Sequence, residues 1–145
     1  MIVVLDACAV LALLTGEVGH DVVEAAIADH TCYIHAITLA EVYRIVARDR
    51  GVLVADELGA DIRAQGIEVR TDFDDPFWQD AAGLALIARC AFADFFVMAL
   101  ARRLGATVLT CDHHEYQAHA AAGTCAIHFF RTPGPRVAAT AVPLP

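Results

Sequence analysis

Short apolar runs alternate along the chain with segments of helical character, and this pattern predicts an α/β fold. The first run, Ile2 to Leu5, has the length and continuity of a strand that is buried on both faces. Further strands are predicted at 32–36, 67–71, 107–110 and 126–130. Helices are predicted at 9–14, 21–28, 38–50, 54–65, 75–89 and 94–104. The alternation predicts three α/β/α layers around a mainly parallel central sheet of four to five strands.

The length and composition of the chain indicate one compact domain. It has 145 residues, of which 58% are hydrophobic, enough to bury a large core. We assign residues 1–131 to the domain. Residues 132–145 hold four of the five prolines and are interpreted as a tail that lies on the surface or waits for a partner. No apolar run reaches the roughly 20 residues of a membrane span, so we expect a soluble, cytoplasmic protein.

Charge and residue usage exclude several classes of protein. The net charge of −8 disfavours a broad basic face that would hold nucleic acid by neutralising phosphates. All ten basic residues are arginine, which excludes P-loop NTPases and Schiff-base enzymes because both need a lysine. The five cysteines form no CxxC pair, which indicates reduced thiols in preference to a disulfide framework or a zinc site.

Four acids are expected at one end of the sheet. Asp6 follows the first strand and Asp112 follows the fourth, while Glu41 and Asp94 are placed in the first turns of helices. In open α/β sheets, ligands bind in the crevice outside the carboxyl ends of the strands, so these acids point to one site. The alternative is that they only cap helices. Thr38 and Glu41, in particular, have the spacing of a capping box.

A cluster of four acids would need a counterion. Two carboxylates about 4 Å apart repel by roughly 4 kcal/mol at an effective dielectric constant near 20, so they stay ionised only around a cation or else raise their pKa values. Carboxylate oxygens suit Mg²⁺ or Mn²⁺, whereas zinc would prefer Cys or His ligands. His113 and His114 follow Asp112, but such a pair is more often a solvated helix start than a ligand pair.

Three fragments together resemble the PIN domain family, and within it the small ribonuclease toxins of VapBC-type toxin–antitoxin systems: VVLDACAVLALL, TLAEVYRIVAR and ADFFVMALARRLGATVLTCDHHEY. The resemblance implies a Mg²⁺- or Mn²⁺-dependent endoribonuclease, a homodimer, and inhibition by a small cognate antitoxin that covers the site. The acidic quartet of the family falls on the same four residues, Asp6, Glu41, Asp94 and Asp112. One departure is Cys8, which stands where many members carry Ser or Thr.

The expected chemistry uses the acids to hold the metal and the metal to activate a water molecule. Asp6 and Asp94 would hold the first ion, and Asp112 with Glu41 would complete its site or hold a second ion. Hydrolysis would leave a 5′-phosphate and a 3′-hydroxyl. Arg44 and Arg48, together with Arg102 or Arg103, are candidates to steer the RNA backbone.

Two other functions are alternatives to this hypothesis. A receiver domain fits poorly because it needs a lysine near its acids and this chain has none. An aspartyl phosphatase fits poorly because it usually has a second Asp two residues after its nucleophile, where this chain has Cys8. A PIN-like binding or assembly module without turnover is the remaining alternative. Under the nuclease hypothesis, we expect an arginine of the antitoxin to bind among the four acids and block the crevice. Its planar guanidinium can pair bidentately with a carboxylate.

Overall fold

The computed structural model describes residues 1–134 and 138–145. The strands are β1 Ile2–Leu5, β2 Thr31–His35, β3 Ile67–Arg70, β4 Thr107–Thr110 and β5 Ala126–Phe129. The helices in these residues are α1 Ala7–Thr15, α2 His20–Asp29, α3 Ala36–Arg50, α4 Val52–Ala64, α5 Asp75–Leu84, α6 Phe92–Leu104 and α7 His113–Ala121. Within the described ranges no helix is both long and apolar enough to cross a lipid bilayer.

The five strands form one parallel sheet in the order β3-β2-β1-β4-β5. The predicted α/β/α architecture with a parallel sheet is therefore confirmed. The chain runs outward from β1 through β2 to β3 and then returns to the other side of β1 for β4. This reversal makes the carboxyl ends of β1 and β4 a topological switch point, where open α/β sheets bind their ligands.

The central strand has a buried core on each face. Val3 and Leu5 of β1 belong to the cluster under α1 to α4, whereas Val4 between them belongs to the cluster under α5 and α6. All three side chains are fully buried. A strand buried on both faces reads as a continuous apolar run, which explains why the sequence IVVL predicts β1 so directly.

Helix α3 begins at Ala36, two residues earlier than predicted. The imidazole of His35 accepts a hydrogen bond from the amide of Ile37 at 3.2 Å and so caps the helix, a role usually filled by Ser, Thr, Asp or Asn. The predicted capping box is therefore wrong. Thr38 is buried inside the helix, and Glu41 lies in the second turn instead of the first.

Helix α5 ends at Leu84, five residues before the predicted end at 89. After Leu84 the backbone tightens into turns in which Ala85 and Leu86 bond three residues back. The predicted helix is too long because it counts the apolar residues after Leu84 as part of a buried face. Leu86 is instead 91% exposed and faces solvent.

The end of the chain folds back beside β5. The amide of Thr132 donates to the carbonyl of Thr140 at 2.9 Å, and the amide of Val142 donates to the carbonyl of Phe130 at 2.7 Å. Leu144 packs against the core. The predicted tail, 132–145, includes residues 135–137, which lie outside the described residues.

Replacing Thr38 by Val should stabilise the protein. The hydroxyl of Thr38 is fully buried and, among the described residues, is the one buried side-chain oxygen or nitrogen without a hydrogen-bond partner. A buried unsatisfied polar group costs about 1–3 kcal/mol, and Val keeps the shape without the hydroxyl. We expect Thr38→Val to raise the free energy of unfolding by about 1 kcal/mol in urea titrations. A destabilised variant would show that the hydroxyl has a partner in solution.

Candidate active site

Asp6 lies at the carboxyl end of β1 and is the N-cap of α1. Its carboxylate accepts hydrogen bonds from the amide of Ala7 at 2.7 Å, the hydroxyl of Thr110 at 2.8 Å and the thiol of Cys8 at 3.2 Å. Only 4% of the residue is exposed. Burial raises the pKa of Asp6, although the hydrogen bonds from Thr110 and Cys8 oppose that rise. Asp6 therefore caps a helix and also faces the crevice at the switch point.

Asp94 lies in the first turn of α6, where it is 6% exposed. It accepts a hydrogen bond from the hydroxyl of Tyr116 at 3.2 Å, and the same hydroxyl lowers the pKa of Asp6 against the larger effect of burial. Burial, followed by the charge of Asp6, raises the pKa of Asp94 to about 8. The N-cap position of this helix is Ala91, which has no side-chain capping hydrogen bond, so Asp94 is not the N-cap.

Glu41 and Asp112 complete the set. Glu41 projects from the second turn of α3 and is half-buried, and its pKa is raised by burial, by the charge of Asp6 and, less strongly, by that of Asp112. Asp112 lies two residues after the end of β4 and caps α7 by accepting a hydrogen bond from the amide of Glu115 at 3.1 Å. The capping alternative is thus correct for Asp6 and Asp112 as local geometry, and it is wrong for Glu41 and Asp94.

We call Asp6, Glu41, Asp94 and Asp112 the carboxylate nest, because each of them either raises the pKa of another member by its charge or has its own pKa raised in this way. Asp6 and Glu41 both raise the pKa of Asp94, and Asp6 and Asp112 both raise the pKa of Glu41. In residues 1–134 and 138–145 no arginine lies within salt-bridge distance of Asp6 or Asp94. Buried like charges without a cationic side chain are the donor set that a hard divalent cation such as Mg²⁺ fits.

A second grouping shares Asp94 with the nest. Ligand atoms of Cys90, Asp94 and Glu115 all lie within 4.8 Å of one another, and this is the one such group of three found in the described chain. Burial raises the pKa of the Cys90 thiol to about 12, so the sulfur stays protonated at neutral pH. A protonated thiol is a poor metal ligand, and the carboxylate oxygens remain the donors of choice.

Sequence reasoning missed two residues that orient the nest. Tyr116, fully buried on α7, donates its hydroxyl to Asp94 at 3.2 Å. Thr110, the last residue of β4, donates to Asp6 and accepts a hydrogen bond from the amide of Asp112 at 3.1 Å. The available signal was weak: Tyr116 comes one helical turn after Asp112, and Thr110 ends an apolar strand with a polar side chain.

The other polar candidates lie around the nest or away from it. Arg44 is exposed on the same helix as Glu41 and lowers the pKa of Glu41 against the larger effect of burial. Arg48 pairs with Asp49 at 2.6 Å. Arg102 and Arg103 occupy the last turn of α6, roughly 12–14 Å along the helix from Asp94, and pair with acids of α5 and of the segment before it.

The two histidines after Asp112 have other surroundings. The Nε2 atom of His113 hydrogen-bonds the carbonyl of Arg131 at 2.9 Å, and its ring stacks on Phe129. The side chain of His114 is 93% exposed. His113 therefore supports the loop after β5, and His114 faces solvent.

Comparison with known families identifies the fold. The PIN domain model matches residues 3–122, which include all four acids of the nest. The chain belongs to the PIN domain family. A search of curated proteins gave no significant match.

Several solved structures share the architecture at low sequence identity. VapBC2 from Rickettsia felis, solved with a DNA fragment from its promoter, has 17% identity and a TM-score of 0.68 over 88% of this chain and 98% of that chain. FitAcB from Neisseria gonorrhoeae has 23% identity and a TM-score of 0.61 over 86% and 95%. VapC20 from Mycobacterium tuberculosis, described as a sarcin–ricin loop cleaving toxin, has 18% identity and a TM-score of 0.60 over 73% and 86%.

The metal-free protein should lose stability as the pH rises. The pKa of Asp94 is about 8 in the folded protein, against an ordinary value of 3.8, so folding favours its protonated form. That contribution is fully present below about pH 4 and is lost as the pH rises through about 8. In EDTA, the urea concentration at the unfolding midpoint should decrease as the pH is raised from about 5 to about 8. Asp94→Asn should remove most of this decrease.

A matched control separates this effect from general titration. Asp61 is an exposed carboxylate on α4, and Asp61→Asn should leave the dependence on pH unchanged. A wild-type midpoint that stays constant or rises over this range would contradict the assignment of a buried, repelled carboxylate at Asp94.

Proposed function

We propose that this protein is a metal-dependent endoribonuclease of the cytoplasm, the toxin of a toxin–antitoxin pair, and that the carboxylate nest is its catalytic centre. The observation that carries the proposal is the burial of Asp6 and Asp94 at the switch point of a PIN fold, where no arginine of the described residues lies within salt-bridge distance of either carboxylate. Such an arrangement costs stability unless a cation binds there, and this is typical of a functional site and not of a structural one.

The roles of the residues follow from their geometry. Asp6 and Asp94 would hold a Mg²⁺ or Mn²⁺ ion, with Asp112 and Glu41 completing the site. When bound, the ion supplies a water molecule of lowered pKa and neutralises charge on the scissile phosphate. Thr110 and Tyr116 hold Asp6 and Asp94 in position by hydrogen bonds at 2.8 and 3.2 Å. Rigid support of this kind is what keeps metal ligands in productive geometry.

Arginines near the nest would guide the RNA backbone. Arg44 is exposed and its charge acts on Glu41, so it is close enough to contact a phosphate beside the site. Arg48 lies one turn further along α3, where Asp49 holds its guanidinium by two hydrogen bonds of 2.6 and 3.1 Å. We therefore assign the main phosphate contact to Arg44 and a weaker one to Arg48.

Removing a carboxylate of the nest should abolish RNA cleavage. Asp6→Asn and Asp94→Asn keep the shape of the side chain but take away a negative charge that holds the ion, so we expect cleavage rates to fall at least about 100-fold. Wild-type activity should require Mg²⁺ or Mn²⁺, stop in EDTA, and leave products with a 5′-phosphate. The measurement is cleavage of a labelled single-stranded RNA, followed on denaturing gels.

The unfolding midpoints of these variants in EDTA distinguish a catalytic acid from an acid that only caps a helix. Both variants should unfold at or above the wild-type midpoint, because like-charge repulsion is relieved. Glu57→Gln, an exposed change on α4, serves as the control and should keep full activity. Wild-type protein that binds the ion but cleaves no RNA would support the alternative, a PIN-like binding module without turnover.

An antitoxin is the expected protein partner. Several structural neighbours are toxin–antitoxin complexes, among them VapBC-1 from nontypeable Haemophilus influenzae, with 13% identity and a TM-score of 0.67. On this chain an apolar groove of about 380 Å³ runs between α3 and α4, lined by Leu39, Tyr43, Ala55 and Leu58 among others. A groove of this form fits the apolar face of a partner helix. An arginine of the same partner would fit the nest.

The protein should form a homodimer. Phe73, Trp78 and Phe92, which we call the aromatic patch, are 60%, 38% and 73% exposed. Together with Phe95 and Phe96 they line an apolar cavity of about 250 Å³. Exposed clusters of large aromatic side chains are unfavourable in water and are typical of interfaces. We therefore place the dimer contact at this patch.

Light scattering tests both the dimer and its location. Wild-type protein should have twice the monomer mass of 15.5 kDa at micromolar concentration. The double variant Phe73→Ser/Phe92→Ser should shift to the monomer, while Leu53→Ser, an equally exposed apolar change on α4, should not. A monomeric wild type would contradict the homodimer, and a dimeric double variant would contradict the location.

A further inference from the structure

We propose that Cys8 and Cys111 form a redox-sensitive thiol pair, which a small disulfide oxidises to an intramolecular disulfide that disables the carboxylate nest. The effect of this disulfide on nuclease activity rests on the proposed function, whereas formation of the disulfide itself does not.

The two cysteines come from neighbouring strands at the centre of the sheet. Cys8 lies in the first turn of α1, after β1, and Cys111 directly follows β4. The two strands are paired in register, with Leu5 opposite Leu109. The backbone amide of Cys111 donates a hydrogen bond to the sulfur of Cys8 at 2.9 Å. From this contact the two sulfurs can meet by side-chain rotation and a small approach of the strand ends.

A cleft of about 320 Å³, lined by Cys8, Glu17, Arg48 and Arg131 among others, opens beside the pair. Both cysteines are partly exposed. Arg131 donates to the sulfur of Cys111 at 2.9 Å and to the carboxylate of Glu17 at 3.2 Å. The cleft therefore gives a small disulfide, such as oxidised glutathione, a route to the sulfur of Cys8.

The chemistry balances with a small disulfide as the oxidant. One thiol of the pair loses its proton, attacks a sulfur of oxidised glutathione, and displaces one glutathione thiolate, which takes up a proton. The second thiol attacks the mixed disulfide, forms the Cys8–Cys111 bond and displaces the other glutathione in the same way. In total the two protein thiols are oxidised to one disulfide, and one oxidised glutathione is reduced to two glutathione molecules.

The link would act on the nest directly. The thiol of Cys8 donates to Asp6 at 3.2 Å and contacts the hydroxyl of Thr110 at 3.4 Å, and Thr110 itself holds Asp6. A disulfide sulfur has no proton to donate, so Asp6 loses one of the groups that orient it. Cys111 immediately precedes Asp112, so the same bond moves a second carboxylate of the nest.

Mass spectrometry of the reduced protein, treated with oxidised glutathione, tests the link itself. We expect the intact mass to fall by two hydrogen atoms, and non-reducing peptide maps to join Cys8 to Cys111. Cys8→Ser and Cys111→Ser should each prevent the link, and Cys125→Ser, a half-buried thiol near β5, should not. A wild-type protein that stays reduced, keeps a stable glutathione adduct or links another pair would overturn the proposal.

Calorimetry with Mn²⁺ tests the effect on the nest without measuring nuclease activity. Oxidation should lower Mn²⁺ affinity about 10- to 100-fold, the effect expected when groups that orient metal ligands are lost, and dithiothreitol should restore it. Cys111→Ser given the same treatment should keep its affinity. Unchanged affinity in the linked protein would overturn the regulatory effect. If the reduced protein bound no Mn²⁺ at all, the proposed function would fail instead, whatever the mass spectra showed.

Discussion

Repulsion among buried carboxylates is the constraint on which the rest of the site depends. Asp6 and Asp94 are each less than 10% exposed, and each raises the energy of the other in its charged form. Desolvation and like charge both favour protonation, and few arrangements of side chains would keep such a pair ionised at neutral pH. A divalent cation removes both penalties together. In the metal-free protein, the carboxylate nest therefore lowers the free energy of unfolding, as is common for sites that bind a ligand.

The parallel sheet makes this concentration of charge possible. Consecutive parallel strands end at the same edge, and the return of the chain to β4 beside β1 puts Asp6 and Asp112 at adjacent strand ends. Helices α3 and α6 then add Glu41 and Asp94 from above that edge. Core packing on both faces of β1 holds this edge rigidly, so the carboxylates cannot relax apart to relieve their repulsion.

Much of the fold and the identity of the acids could be predicted because both are local properties of the sequence. The run IVVL, the helical period after Asp94 and the order of strands and helices depend on neighbouring residues, and the structure agrees with them. The misses come from contacts that are distant in sequence. His35 replaces Thr38 as the cap of α3, and Thr110 donates its hydroxyl to Asp6 across more than a hundred residues of chain.

Proton release on metal binding tests the central claim that the nest is a cation site. At pH 7 the carboxyl of Asp94, with a pKa of about 8, is mostly protonated in the free protein and must ionise to bind a cation. Calorimetric titration with Mn²⁺ in two buffers of different ionisation enthalpy should show binding with release of about one proton. Asp94→Asn should bind weakly and release none. Wild-type protein that binds no Mn²⁺, or binds it without releasing a proton, would contradict the account.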